Sequence, residues 1–213
     1  MFQNPDWHPV RFKHLLRRGI CYGVLVPRFV SAGGVRFIRV NDLAHLDQRA
    51  DGLVQIEATL SAEYSRTVVK EGDLLIAVVG SVGNATVVPA SSAGSNVARA
   101  VARVQVMRGV DVQVIRAWTM TKDYNRQVKL ATGSDTAQPT LNVGDLSNFS
   151  LSVPASTAAW TAARVDCELL IQERDRWASL AANHLRLLYE RRNAVVSAAV
   201  TGQLDVTTTA GVA

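Results

Sequence analysis

Hydrophobic and polar residues alternate in short blocks along the first part of the chain, and Gly, Asn and Asp separate these blocks. Residues 35–40 and the apolar run 74–79 predict strands, because short apolar runs bounded by such turn residues are typical of sheets. A further strand is predicted over residues 98–107. Residues 112–129 predict a helix, since apolar side chains recur there every three to four positions. The pattern indicates a mixed, largely antiparallel, β-rich α+β domain.

Two segments of this domain predict turns or loops. Residues 80–84 read Gly-Ser-Val-Gly-Asn and follow the predicted strand 74–79 directly. Residues 131–140 are small, polar and rich in helix-breaking residues, so they predict a loop.

The composition changes after Pro154. Residues 157–201 contain neither proline nor glycine, Ser156 or Thr157 stands where an N-cap belongs, and Gly202 is a suitable stop. This predicts one long helix of about 45 residues, roughly 65 Å at a rise of about 1.5 Å per residue. We expect a helix of this length to exceed what the preceding domain buries. The predicted organisation is a domain of residues 1–156, a helix of residues 157–202 and a tail of residues 203–213.

The long helix carries an interrupted apolar stripe with a repeat near 3.5 residues, which is the spacing of coiled coils. An amphipathic helix lying on its own domain is the alternative interpretation. The residues predicted to pair with a second helix are Leu170, Trp177, Leu180, His184, Leu187, Leu188 and Val195.

Composition and charge narrow the class of protein. The chain has 213 residues, 48% of them hydrophobic, which is enough for a substantial core. The net charge of +5 arises in residues 1–159, with 17 Lys/Arg against 12 Asp/Glu, whereas residues 160–213 hold six of each. An excess of positive charge favours an anionic partner. No apolar run is long enough to span a bilayer and no signal segment is present, so we expect a cytoplasmic protein.

No catalytic or metal-binding motif stands out. Cys21 and Cys167 lie far apart with no second thiol or histidine at ligand spacing, so we expect neither a disulfide nor a metal site. The glycine turn 80–83 lacks the Lys-Ser/Thr of a phosphate loop. We therefore expect no enzyme activity on this chain.

Several short strings, taken in order, resemble the specificity subunits of type I restriction–modification systems. The resemblance runs across nearly the whole chain and rests on Tyr22-Gly23 with Pro27, Ile38-Arg39 with Asp42-Leu43, Gly72-Asp73-Leu74-Leu75, Gly80-Ser81-Val82-Gly83, Asn96 with Arg99, Asn142 with Gly144-Asp145-Leu146, and the helix ending Leu188-Tyr189-Glu190 to Thr201-Gly202-Gln203-Leu204. A complete family member usually has two recognition domains and two spacer helices. Here we find one of each, which predicts either a half-length subunit that pairs with itself or a piece of a longer one.

The resemblance implies that loops at one end of the domain read base edges of duplex DNA in the major groove. The predicted DNA-binding residues are Arg39, Asn41, Asp42, Ser81, Asn84, Asn96, Arg99, Lys129, Thr132, Ser134, Thr136 and Gln138. Each has a plainer interpretation. Asn41 and Asp42 suit turn hydrogen bonds, Arg99 suits an exposed strand position, and the Ser/Thr-rich loop suits a flexible connection.

The resemblance also implies partners. We expect a methyltransferase subunit and a restriction subunit to dock on the chain, with S-adenosylmethionine and ATP bound by those partners and no cofactor on this chain. A homodimer formed through the long helix would recognise two inverted half-sites. The alternative function is a structural protein that does not bind DNA and uses the long helix to assemble partners.

Overall fold

The computed structural model describes residues 7–47, 50–133 and 139–203. The chain divides into two compact units, Met1–Cys167 and Glu168–Ala213. The domain boundaries predicted from the sequence stay predictions.

Ten strands and five α-helices make up the described chain. The strands are β1 (Trp7–Arg11), β2 (Cys21–Tyr22), β3 (Phe29–Val30), β4 (Val35–Ile38), β5 (Gln55–Ile56), β6 (Leu74–Ala77), β7 (Ala85–Val87), β8 (Asn96–Val97), β9 (Val101–Val104) and β10 (Ser150–Pro154). The helices are α1 (Ala58–Glu63), α2 (Val112–Trp118), α3 (Lys122–Thr132), α4 (Val143–Asn148) and α5 (Thr157–Val200). Short 3₁₀ helices lie at Phe12–Leu15, Val40–His45, Ala50–Gly52, Ser65–Thr67 and Ala90–Ser92.

The strands form three sheets in the first unit. One has the order β2-β9-β6-β7 and is antiparallel throughout, the second has the order β3-β5-β4-β8 with β4 and β8 parallel, and β1 pairs with β10. The predicted α+β class with largely antiparallel sheets is therefore confirmed.

The central strand β6 is buried on both faces, which explains its uninterrupted apolar sequence. Leu74 and Ile76 pack into one core cluster with the aromatic rings of Phe12, Trp118 and Tyr124. Leu75 and Ala77 face a second cluster on the other side of the sheet. The Trp118 ring lies 5.2 Å from Phe12 and 4.8 Å from Tyr124 between centroids, so this aromatic contact joins α2, α3 and the 3₁₀ helix Phe12–Leu15.

A buried ion pair lies beside this core. The Nε of Arg103 donates to Oδ2 of Asp73 across 2.6 Å, and both side chains are only 7% exposed. Arg103 also donates to the Arg66 carbonyl, and Gln105 donates to the second Asp73 oxygen. Each of the paired charges thus has further hydrogen-bond partners inside the domain, as burial of charge requires.

Gly23 occupies a position that no other residue fits. A Cβ at this position would lie 1.8 Å from the Val97 carbonyl oxygen, because the backbones of residues 23–24 and 97–98 run in direct contact. Val24 donates to the same carbonyl across 2.8 Å. The Tyr-Gly pair of the sequence therefore marks a close approach of two backbones.

The helix predicted over residues 112–129 is wrong in one respect, since the structure has two helices there. Helix α2 ends at Trp118 and α3 starts at Lys122. The Thr121 hydroxyl accepts a hydrogen bond from the Tyr124 backbone N–H at 3.1 Å and so caps α3. A threonine hydroxyl that caps a new helix competes with continuation of the previous one.

The long helix is confirmed with both of its end signals. The Ser156 hydroxyl accepts from the Ala159 backbone N–H at 3.2 Å at the start. Gly202 adopts a φ of 73°, and its N–H bonds the Ala199 carbonyl at the end. At about 1.5 Å per residue, α5 has a length of roughly 66 Å.

Within the described residues, no helix is both long and apolar enough to cross a membrane. In the same part of the chain, no three His, Cys, Asp or Glu side chains are grouped to hold a metal ion. Cys21 is a free thiol, and Cys167 is buried. Burial raises the pKa of the Cys21 thiol, and this effect of burial outweighs the lowering effects of the charges on Arg103 and Arg66.

Candidate nucleic-acid interface

The ends of several strands and loops meet at one edge of the first unit. Ala98 donates its backbone N–H to the Ile38 carbonyl at 2.9 Å. Because the two segments run parallel, Arg39 and Arg99 follow this hydrogen bond on neighbouring segments of backbone. Arg99 in turn donates its own N–H to the Val24 carbonyl at 2.9 Å. Two arginines that are 60 positions apart in sequence are thus held by one backbone network.

The same network continues to the glycine turn. Val78 donates to the Ala100 carbonyl at 2.8 Å, and Leu141 donates to the Val78 carbonyl at 2.7 Å. Gly80 donates to the Pro139 carbonyl at 3.1 Å, and Val79 forms an isolated antiparallel β-bridge with Thr140. We call the set formed by Arg39, the turn 80–84, Arg99 and Thr140 the loop edge.

The loop edge presents polar groups to solvent. The side chains at Ser81, Asn84, Arg99 and Thr140 are exposed. They combine amide, hydroxyl and guanidinium groups, which are the donors and acceptors that read base edges. The sequence predicted all of these except Thr140, which is the last residue of the predicted loop and could have been identified from its position before the buried Leu141.

Arg39 is held by Asp42. The backbone N–H and the Nε of Arg39 both donate to Oδ2 of Asp42, at 2.8 and 3.1 Å, and Nη2 donates to Oδ1 at 3.3 Å. The hydrogen bond to Asp42 raises the pKa of the guanidinium. Asp42 is 10% exposed at its side chain and Arg39 is 47% exposed, so the carboxylate orients a guanidinium that solvent still reaches. The turn interpretation of Asp42 fits this geometry, and it adds a positioning effect on Arg39.

The glycine turn rests on Tyr124 of α3. Gly83 has a φ of 94°, and a Cβ there would approach the Tyr124 ring to 3.0 Å. Burial raises the pKa of the Tyr124 hydroxyl, which has no hydrogen-bond partner among the described residues. The buried Tyr124 ring therefore packs against the turn.

Other predicted DNA-binding residues lie elsewhere. Asn41 is exposed in the 3₁₀ helix Val40–His45. Lys129 is exposed on α3, and the Thr132 hydroxyl donates to the Val128 carbonyl at 2.9 Å at the end of the same helix. Ser134, Thr136 and Gln138 lie outside the described residues.

Asn96 has a structural position. Its side chain is 0% exposed, its Oδ1 accepts from the Thr67 hydroxyl at 2.6 Å, and its Nδ2 donates to the Ser61 hydroxyl at 3.0 Å. These interior bonds leave Asn96 no atom to offer to a base edge. In this structure it joins β8 to α1, and we leave it out of the loop edge.

In the second unit, the residues predicted to pair with another helix are exposed. The apolar members are between 48% and 67% exposed, and His184 is exposed as well. These apolar members are Leu170, Trp177, Leu180, Leu187, Leu188 and Val195. A helix with this much exposed apolar surface is typical of one that binds a partner.

Comparisons with known proteins agree with the predicted resemblance. The chain is 26% identical over 152 residues to the type I restriction enzyme EcoBI specificity subunit of Escherichia coli, an alignment that includes 70% of this chain and 32% of that protein. The chain thus spans about a third of the length of this curated relative. No protein-family model matches the chain.

Solved structures of the same kind share the fold. The HsdS subunit of Thermoanaerobacter tengcongensis matches with a TM-score of 0.58 and 18% identity, over 94% of this chain and 46% of that one. The type I restriction–modification S subunit of M. genitalium matches with a TM-score of 0.54 and 10% identity, over 85% and 43%. A structure on complex assembly and conformational transition of the type I R-M system matches with a TM-score of 0.58 and 17% identity, over 92% and 46%. The resemblance to type I specificity subunits is therefore confirmed in sequence and in fold.

Proposed function

We propose that this chain reads one half-site of duplex DNA for a type I restriction–modification system. The observation that carries the proposal is the loop edge, where Arg39, Arg99 and the turn 80–84 come together from distant parts of the sequence. The likeness to specificity subunits supports it. The net charge of +5 also suits an anionic partner.

In this function Arg39 and the turn 80–84 have different roles. An arginine whose guanidinium is held in one orientation discriminates guanine through its O6 and N7 acceptors, by about 1–3 kcal/mol per base pair. Ser81 and Asn84 supply hydroxyl and amide groups that suit either bases or phosphates. Arg39 is the base-reading residue in our proposal because Asp42 fixes its orientation.

The long helix fixes where a second reading domain lies. Two copies paired through the exposed apolar residues of α5 would be related by a two-fold axis, so the pair would recognise two inverted half-sites separated by unspecified bases. We propose the same helix pair as the docking surface for the methyltransferase subunit and, in a restriction complex, the restriction subunit. S-adenosylmethionine and ATP would be bound by those subunits in the cytoplasm, and this chain would carry no catalytic residue.

The alternative is a structural protein that assembles partners through α5 and binds no DNA. The exposed apolar residues of α5 suit both functions, and the DNA-reading function also gives the loop edge a role. Salt-dependent binding to duplex DNA separates the two, since a surface that contacts phosphates releases counterions.

The decisive cellular experiment is methylome mapping in the host with and without the gene. We expect one bipartite adenine-methylation motif to disappear when the gene is deleted. A methylome that keeps all of its bipartite motifs would overturn the proposal.

A further inference from the structure

A second positively charged site, which is not part of the loop edge, lies around residues 13–20. Residues 7–41 contain seven Lys/Arg and no Asp or Glu. Three of these cations, Lys13, Arg17 and Arg18, line a cavity of about 440 Å³ between the segment 13–20 and α4. None of the residues that line it is acidic, and Asp145, the acid adjacent to Gly144 of the lining, is exposed and lies outside the lining.

The backbone that carries these cations is fixed by the fold. Phe12 and Leu15 are buried in the core, and the Phe12 N–H donates to the Phe149 carbonyl at 2.9 Å. Arg17 donates its N–H to the Gln105 carbonyl at 2.8 Å, and Leu16 bridges Val106. These backbone hydrogen bonds hold the part of the segment that carries Lys13 and Arg17.

The side chains of Arg17 and Arg18 differ from that of Lys13 in their contacts. Lys13 donates to Oδ1 of Asn148 at 2.9 Å, which attaches it to α4. By contrast, the side chains of Arg17 and Arg18 are exposed and form no hydrogen bond or ion pair with any residue that the structure describes. Leu16, Ile20 and Ser147 also line the cavity.

We propose that this cavity, which we call the basic cavity, binds a backbone phosphate of the same duplex that the loop edge reads; the inference rests on the proposed function. Exposed arginines that have no partner among the described residues suit a phosphodiester, which stays largely in solvent while it is held. A pocket for a small ligand instead encloses most of its occupant. The contact adds affinity without base preference.

A short stretch of chain connects the two sites. Thr140 belongs to the loop edge, and Val143, three residues further along, lines the basic cavity. Three residues of extended chain span at most about 11 Å. Because phosphates follow one another about every 3.4 Å along each strand of a duplex, a duplex that contacts the loop edge can also place a phosphate at the basic cavity.

The test uses the full chain and a fluorescein-labelled 30-base-pair duplex of arbitrary sequence. We compare wild type with the double variant Arg17→Gln/Arg18→Gln by fluorescence anisotropy at several salt concentrations. We expect the slope of log affinity against log salt to fall in magnitude by about 0.9, which is the contribution of one phosphate contact. The matched control Arg174→Gln/Arg176→Gln removes the same charge from α5 and should keep the wild-type slope.

Two further arms sharpen the result. The variant Arg17→Lys/Arg18→Lys keeps the charges and should recover most of the slope, while an unchanged circular dichroism spectrum verifies that the fold is intact. Inorganic phosphate, exchanged for chloride at equal ionic strength, should raise the thermal midpoints of wild type and of Arg17→Gln/Arg18→Gln by the same amount, because phosphate is excluded from protein surfaces in general. A rise that Arg17→Gln/Arg18→Gln abolishes would assign the cavity to free phosphate and overturn the inference.

The outcomes separate this inference from the proposed function. If wild type does not bind the duplex, the proposed function fails and the inference fails with it. If wild type binds with a salt-dependent affinity and the double glutamine variant has the same slope, the inference alone is overturned.

Discussion

The guanidinium Nε of Arg39 donates to Oδ2 of Asp42 across 3.1 Å, and the backbone N–H of Arg39 donates to the same oxygen across 2.8 Å. The carboxylate is nearly buried, whereas the arginine side chain is about half exposed. Asp42 therefore acts as a positioning residue, and Arg39 is the group that meets solvent. Variants of Arg39 can therefore show whether its guanidinium reads a base or only attracts a phosphate.

Substitution of Arg39 should change sequence preference more than affinity. We expect Arg39→Ala to lose about 1–3 kcal/mol of discrimination at one base pair, because the guanidinium edge no longer matches guanine. Arg39→Lys keeps the charge and loses the planar donor geometry, so it should retain affinity and lose preference. Competition binding with duplexes that carry each base pair at the position provides the measurement, and an equal loss on all of them would make Arg39 a phosphate contact.

The buried ion pair predicts a large stability effect. Asp73→Asn should lower the free energy of unfolding by about 3–5 kcal/mol, because the Arg103 guanidinium stays buried without its counter-charge. The neighbouring Glu71 is exposed, so Glu71→Gln should change it by less than about 0.5 kcal/mol. Urea unfolding of both variants checks the prediction, and similar midpoints for the two would contradict the role of the pair.

Tyr124 predicts a loss of stability at alkaline pH. Its pKa is raised in the fold by burial, so the unfolded chain releases the phenolic proton first, near pH 10. The stability from the neutral phenol is complete below about pH 10 and is lost as pH rises above it, by at most about 1.4 kcal/mol per pH unit. Tyr124→Phe should remove this loss, which unfolding midpoints at pH 8 and pH 11 measure.

A suitable control for this experiment is Tyr189→Phe, which removes one phenol from an exposed site on α5. The difference between Tyr124→Phe and wild type should grow from pH 8 to pH 11, and Tyr189→Phe should follow wild type. Parallel pH profiles for Tyr124→Phe and wild type would show that the Tyr124 phenol titrates alike in both states.

The exposed apolar residues of α5 predict self-association. Leu180→Glu should weaken the dimer at least about tenfold, since a two-fold pair then brings two like charges into an apolar contact. Ala182→Glu adds the same charge at another exposed position of the helix, about 200° around it, and should leave association unchanged. Sedimentation equilibrium distinguishes the two variants, and a wild-type chain that is monomeric at micromolar concentration would contradict pairing.

Features with local causes could be predicted from the sequence. The buried strand β6 follows from an unbroken apolar run, the turn 80–84 from its two glycines, and α5 from the absence of Gly and Pro between Ser156 and Gly202. Each depends on neighbouring residues alone, so its signal is present in the sequence. The same reasoning placed Arg39, Arg99 and the turn at ends of strands, where the structure brings them together.

Features that depend on residues far apart in the chain could not be predicted from the sequence. The pairing of β1 with β10 joins segments more than 130 residues apart, and two-residue strands such as β8 carry too few side chains for a periodic signal. Asn96 looked like an exposed polar residue, because nothing nearby shows that Ser61 and Thr67 fold around it. Thr121 interrupts an apolar period that fits a single helix, since a cap needs only one hydroxyl.

Selection from a library of randomised duplexes tests the central claim most directly. Wild-type protein at physiological salt is equilibrated with the library, and the bound duplexes are sequenced. The account predicts enrichment of two identical half-sites in inverted orientation with a constant spacing between them. A bound fraction with the same base composition as the starting library at every position would contradict it.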